Sequence, residues 1–267
     1  MLSSILKKTV EVLRLVRRER SFSIKQHCEK YNIEPRGILH LGANDGGEAE
    51  LYQRCGFRQV AWVEGYEPFF DRLRRHVEAF PGQKAYRVLI SDKDGEEVHF
   101  RVADNGVSST ALTPAERFHD EFPSIVFVDD VPLTARRLDR YFSENHVDLS
   151  AFNFLIVDLE GSELKALRSL GDSLRGFEWA GIEIRVGEDF VSGPTLSDID
   201  AHMMANGFKR IETVMGSSSG DALYHRQIVT PLDKFQMVVS SAWLEYGYYR
   251  LYRNMVVKTV KRFMAES

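Results

Sequence analysis

Three carboxylates, Asp158, Glu160 and Glu183, stand at the ends of apolar runs, where they could take a proton from an attacking group. Residues 152–157 run straight into Asp158, and residues 179–184 carry Glu183 near their end. A second set, Gly42, Asn44, Asp45, Gly46 and Glu64, has the spacing of a nucleoside site. Around it lie an apolar run (38–41), a Gly-rich turn, a helical stretch (48–55), a second apolar run (60–63) and then Glu64. Strand, turn, helix, strand and acid is the layout of a nucleoside-binding βαβ unit. Glycines let the backbone pass close under a ligand, and a carboxylate offers two acceptor oxygens to a ribose diol.

The turn decides which nucleoside fits. It reads Gly42-x-x-x-Gly46-Gly47 rather than GxGxxG, with Asp45 inside it and Glu48 following. A pyrophosphate docked on the next helix N-terminus would be repelled by those acids. S-adenosylmethionine has no phosphate, and its ammonium and sulfonium centres are cationic, so a methyl donor is expected. A purely structural strand-to-helix turn would share the same local pattern. Asp158, Glu160 and Glu183 are the candidate bases, and a divalent metal held by their oxygens is the alternative way to activate a hydroxyl. Adjacent acids can also do no more than order a loop.

The blocks HLGANDGG, residues 64–68, ISDKDGEEVHF, Ser108-Ser109, LTARRLDRYF and NFLIVDLEGSELKAL together resemble the FkbM family of S-adenosylmethionine-dependent methyltransferases, over about residues 36–215. The resemblance implies an α/β class I methyltransferase (Rossmann-like) fold. Its seven-stranded, mostly parallel sheet would carry helices on both faces and an antiparallel final strand. It also implies O-methyl transfer, often onto a sugar or natural-product hydroxyl. Gly42, Asn44 and Gly46 would then floor the methionine part of the donor, Asp45 would accept from its ammonium, and Glu64 would hold the ribose. Ser91-Asp92 resembles the place where this fold meets the adenine amino group. Two departures stand out. Family members commonly read Glu-Pro directly after the second strand, whereas Glu64 and Glu67 compete here and strand length favours Glu64. Lysine usually precedes the acid of the later block, and Val157 stands there.

The elements that position these residues follow from periodicity. Ser21–Tyr31 and residues 68–80, 114–122, 138–145 and 195–206 read as helices, with Gly207 closing the last. Residues 85–90 read as the third strand, Val98, Phe100 and Val102 as an inserted hairpin, and residues 125–134 as extended. Ser162 is placed to cap the helix bearing Leu164, Leu167 and Leu170. Two last strands, 208–215 and 222–229, flank a flexible Gly216–Gly220 segment. His119, His146, His202 and His225 have no partner pattern that would make a base.

The remaining bounds are broader. The chain has 267 residues, a formal net charge of −4 and two cysteines, which argues against nucleic acid as main partner and against a disulfide framework. No apolar run reaches a membrane-spanning length and no secretion signal is legible, so a cytoplasmic protein is expected. Residues 1–35 form an amphipathic N-terminal helical extension, 36–230 the donor-binding domain, and 231–267 a C-terminal helical extension. The extensions combine apolar stripes with Lys and Arg and suit packing, a homo-oligomer or peripheral contact with the inner membrane face. The acceptor would be a small molecule or glycan. A non-catalytic nucleoside-binding scaffold and an NAD-type oxidoreductase are the competing readings.

Overall fold

The computed structural model describes residues 23–216 and 218–248. The expected helix over residues 1–20 and the tail beyond residue 248 lie outside them.

The chain builds around β1 (Gly37–Leu41), whose five residues are all buried. β2 (Gln59–Glu64) and β7 (Phe154–Val157) flank it in parallel. A strand covered on both faces reads as a continuous apolar run, which is why the sequence shows no alternation here. Side chains still alternate in space. Leu39, Leu41, Val63, Leu155 and Val157 pack into one core, and Ile38, Trp62, Phe154 and Ile156 into the core on the other face. Each such side chain contributes about 1.5–3 kcal/mol on burial.

The full sheet runs β3 (Gln83–Arg87), β2, β1, β7, β8 (Trp179–Arg185), β10 (Ser219–Arg226), β9 (Phe208–Met215). β10 is antiparallel to both neighbours, and the other pairings toward β3 are parallel. This is the seven-stranded class I methyltransferase topology expected from the sequence. Helices α1 (Ile24–Tyr31), α2 (Ala49–Arg54), α3 (Glu67–Val77), α5 (Leu138–Glu144), α6 (Glu163–Ser169), α7 (Leu196–Ala205) and α8 (Pro231–Ala242) accompany it. Gly207 follows α7 with φ +84°, the left-handed position expected of it.

Three local expectations are corrected. Residues 85–90 are not one strand. β3 ends at Arg87, and Leu89–Ile90 leave the main sheet as β4 to pair with β6 (Phe127–Arg136). Val98, Phe100 and Val102 lie in β5 (Glu97–Ala103), which pairs antiparallel with distant β6 instead of folding on itself. The result is a three-stranded second sheet, β4-β6-β5, with α4 (Glu116–Glu121) in the connection. The last strand starts at Ser219, inside the segment read as flexible, because Ser219 and Gly220 already pair with Arg185 and Ile184.

Candidate active site

All the site strands deliver their residues to the carboxyl edge of the sheet, where ligands of open α/β folds bind. β1 ends at Leu41, and the chain turns through Gly42 (φ +85°), Asn44 (φ +46°) and Gly46 (φ +76°) into α2. Only glycine fits at Gly42, since a Cβ there would lie 1.7 Å from the backbone oxygen of Asp158. Gly42 and Ala43 both donate backbone hydrogen bonds to the Val63 carbonyl at 3.0 Å, which ties the floor to β2.

Glu64 closes β2 and is buried. Its Oε2 accepts from the Asn44 backbone N–H at 3.0 Å, and its Oε1 from those of Gly65 and Tyr66 at 2.8 and 2.9 Å. Burial pushes the carboxyl up to about 6, although these three N–H groups and Arg72 oppose the rise. A carboxylate has about four acceptor positions, so one remains for a ligand hydroxyl. Glu67 is turned away at the start of α3, where it pairs with Arg87 at 2.6 Å. Beyond Glu64 lies an apolar slot of Val63, Phe69, Val88, Leu89, Ile90 and Phe100. The split after β3 makes this slot, because β4 brings Leu89 over Gly65, and a Cβ on Gly65 would lie 2.8 Å from the Leu89 Cα.

Ser91 and Asp92 are not among the residues lining the slot. Ser91 is buried with its hydroxyl on Glu96, while Asp92 faces Arg168 at 3.7 Å.

Asp158, Glu160 and Glu183 converge, each offering an oxygen within 4.8 Å of the others. Asp158 follows β7 directly, Glu160 (φ +49°) sits on the turn into α6, and Glu183 points up from β8. Glu183 is held well above the usual carboxylate range by burial and by the neighbouring Asp158. Burial lifts Glu160 to about 7 against the pull of Arg185. Asp158 is also raised by desolvation, while His40, Arg185 and a hydrogen bond from Glu183 draw it back. Its side chain is exposed at the cleft, whereas Glu160 and Glu183 are half-buried, so Asp158 is the most accessible acid of the three, with Glu183 able to hold a proton beside it.

The sequence reading missed Arg185 and His40 as site residues. The Arg185 guanidinium contacts Glu160, reaches Glu183 at 2.9 Å and Asp189 at 3.5 Å, and lies over the Phe190 ring. The available signal was its spacing, since residues 183 and 185 share one face of a strand. His40 lines the cleft, its Nδ1 3.0 Å from the Tyr52 hydroxyl, and burial lowers its pKa. Ser162, the expected cap, makes no cap hydrogen bond. Glu163 instead accepts from the backbone N–H groups of Leu159 and Gly161, each at 3.0 Å.

The cleft beyond Asn44 is a cavity of about 620 Å³. Asp45, Glu48, Asp158, Glu160, Glu183 and Asp221 line it, against the single cation Arg72 among its lining residues. That charge suits a sulfonium and an ammonium and opposes a pyrophosphate. Arg185 takes one oxygen each of Glu160 and Glu183, and Glu183 Oε2, buried and not engaged by Arg185, stays available with Asp158 for a divalent ion held by carboxylate oxygens.

Comparison with known proteins identifies the family. A search of curated proteins found no match. Among solved structures, the chain is similar to a SAM-dependent methyltransferase from Aquifex aeolicus, at 12% identity and TM-score 0.41, covering 81% of this chain and 97% of that one. It is also similar to a ribosomal protein L11 methylase from Lactobacillus delbrueckii subsp. bulgaricus, at 9% identity and TM-score 0.45, covering 76% and 75%. The family model for the methyltransferase FkbM domain matches residues 40–210, well over half of the 267 residues. With the matching sheet order and the cleft at its carboxyl edge, the chain belongs to the FkbM methyltransferase domain family.

Proposed function

We propose that the protein transfers the methyl group of S-adenosylmethionine to a hydroxyl oxygen of a sugar, glycan or natural-product acceptor. The observation that carries this reading is the placement of Asp158, an ionisable acid open to the cleft, against the Gly42 floor of the donor site. Glu64 would accept from the ribose, the slot of Leu89, Ile90 and Phe100 would take the adenine, and Asp45 would face the ammonium. The bound donor supplies a methyl carbon already activated by its sulfonium.

The chain's own task is then positioning, proton removal and exclusion of water. Asp158 takes the hydroxyl proton as the acceptor oxygen closes on the methyl carbon. Arg185 pairs with Glu160 and Glu183 and offsets one charge of the cluster, and a proton on Glu183 offsets another. Calorimetry with S-adenosylmethionine, S-adenosylhomocysteine and NAD tests the donor. Binding of the first two and not of NAD is the expected outcome, and NAD binding alone would reverse it. Mass spectrometry of a panel of sugars and phenolic natural products, looking for a methyl increment, tests the acceptor.

A further inference from the structure

α8 is anchored on one side and bare on the other. Met237 and Leu244 enter the core, and the Ser241 hydroxyl meets Asp200, itself paired with Arg210 at 3.1 Å. Just beyond the helix, Glu245 accepts from the backbone N–H of Ser197 at 2.7 Å. The helix therefore presents its outer face rigidly. On that face Leu232, Phe235 and Val239 recur at steps of three and four residues, 63, 65 and 50% exposed, and Trp243 and Tyr246, 42 and 76% exposed, follow in the wider turn Trp243–Tyr248 beyond its end. An apolar stripe of this length on a surface helix marks a docking face.

Charge identifies the occupant. The chain is acidic overall, at −4, yet its two ends are basic. Residues 1–22 hold Lys7, Lys8, Arg14, Arg17, Arg18 and Arg20 against Glu11 and Glu19. The sequence directly after the stripe holds Arg250, Arg253, Lys258, Lys261 and Arg262 against Glu266. We propose that the α8 stripe lies on an anionic lipid surface, with its aliphatic and aromatic side chains in the headgroup boundary and the flanking basic sequence against the lipid charge. A symmetric contact with a second copy would instead bring two like-charged sequences together beside the stripe.

The test is co-sedimentation of the full chain with phosphatidylcholine vesicles and with vesicles of phosphatidylcholine and phosphatidylglycerol. The protein should pellet with the anionic vesicles, stay in solution with the neutral ones, and be released by high salt. Phe235→Ser combined with Val239→Ser should lower partitioning by roughly tenfold or more. The variant should keep its thermal midpoint and its affinity for S-adenosylhomocysteine, because both side chains are exposed and far from the cleft lining. Failure to pellet with either vesicle overturns the proposal. So does unchanged binding of the double variant, which would leave the basic ends as the sole contact. A stable dimer by light scattering that the double variant dissociates would show the face to be a protein interface.

Discussion

Replacing Glu64 with Gln isolates the donor site, because the shape is kept and the charge removed. In the wild type both carboxylate oxygens are in use: Oε1 by Gly65 and Tyr66, Oε2 by Asn44. An amide can serve one side only. If its oxygen keeps the Gly65 and Tyr66 pair, its NH₂ opposes the Asn44 N–H, and the position left for a ribose hydroxyl becomes a donor. Losing a charged hydrogen bond costs about 1.5–3 kcal/mol, a roughly 10- to 150-fold loss in affinity for S-adenosylhomocysteine at neutral pH. The pH dependence provides the sharper test. The folded carboxyl is raised to about 6 and binding uses its ionised form, so wild-type affinity should be full above pH 7. It should fall about tenfold per unit below pH 6, whereas Glu64→Gln should be flat over that range. Calorimetry from pH 5 to 8 measures both curves. A variant that binds like wild type, or a wild-type curve flat through pH 6, refutes the role. Glu67→Ala serves as the internal control and should leave affinity unchanged, since Glu67 meets only Arg87 at the surface.

Asp158→Asn should lower methyl transfer by about two orders of magnitude or more with donor affinity nearly intact; a chelator in the same assay separates a bare carboxylate from a metal, and wild-type turnover by the variant would move the active centre elsewhere. Gly42→Ala should destabilise the fold by roughly 3 kcal/mol or more in urea titration, from a Cβ against the Asp158 carbonyl together with a positive φ; a change under about 0.5 kcal/mol would contradict the geometry. Glu64 and Glu160 both have folded values raised above the ordinary 4.5, so their contribution to stability is present below that value and lost as pH rises through about 6 and 7. Differential scanning calorimetry of the free protein should accordingly show the thermal midpoint falling between pH 5 and 7.5 more in wild type than in Glu160→Gln.

The placement of the unit from Gly42 to Glu64 was legible because it is local in sequence. Gly42, Gly46 and Glu64 sit at the ends of two runs that a reader can see, and the strand length alone separates Glu64 from Glu67. The acid loop was legible for the same reason, as Asp158 ends a buried run. What escaped depended on partners distant in sequence. The departure of Leu89 and Ile90 from the third strand goes with their pairing to Ala135 and Arg136, far along the chain. Ser162 looked like a cap, yet the adjacent Glu163 takes the N–H groups of the turn. Arg185 bears no motif and gains its meaning only where three chain segments bring acids to it.

The second sheet separates what must stay constant from what can vary. Its β4 end is built into the donor slot through Leu89 and Ile90, while its β5–β6 end opens into residues 104–126, a connection of loop and short helix beside the cleft. The backbone exchange between Arg101 and Thr110, at 2.8 and 2.9 Å, staples the root of that connection, and Thr110 also reaches the Glu160 carbonyl. Residues beyond the staple are tied to the loop after β8: the Ala115 N–H donates to the Asp189 carbonyl, the Val191 N–H to the Thr113 carbonyl, and Arg117 pairs with Asp189. A segment exchanged between members of the family would therefore have to carry residues 111–126 together with 187–193, leaving the β4 end of the second sheet in place.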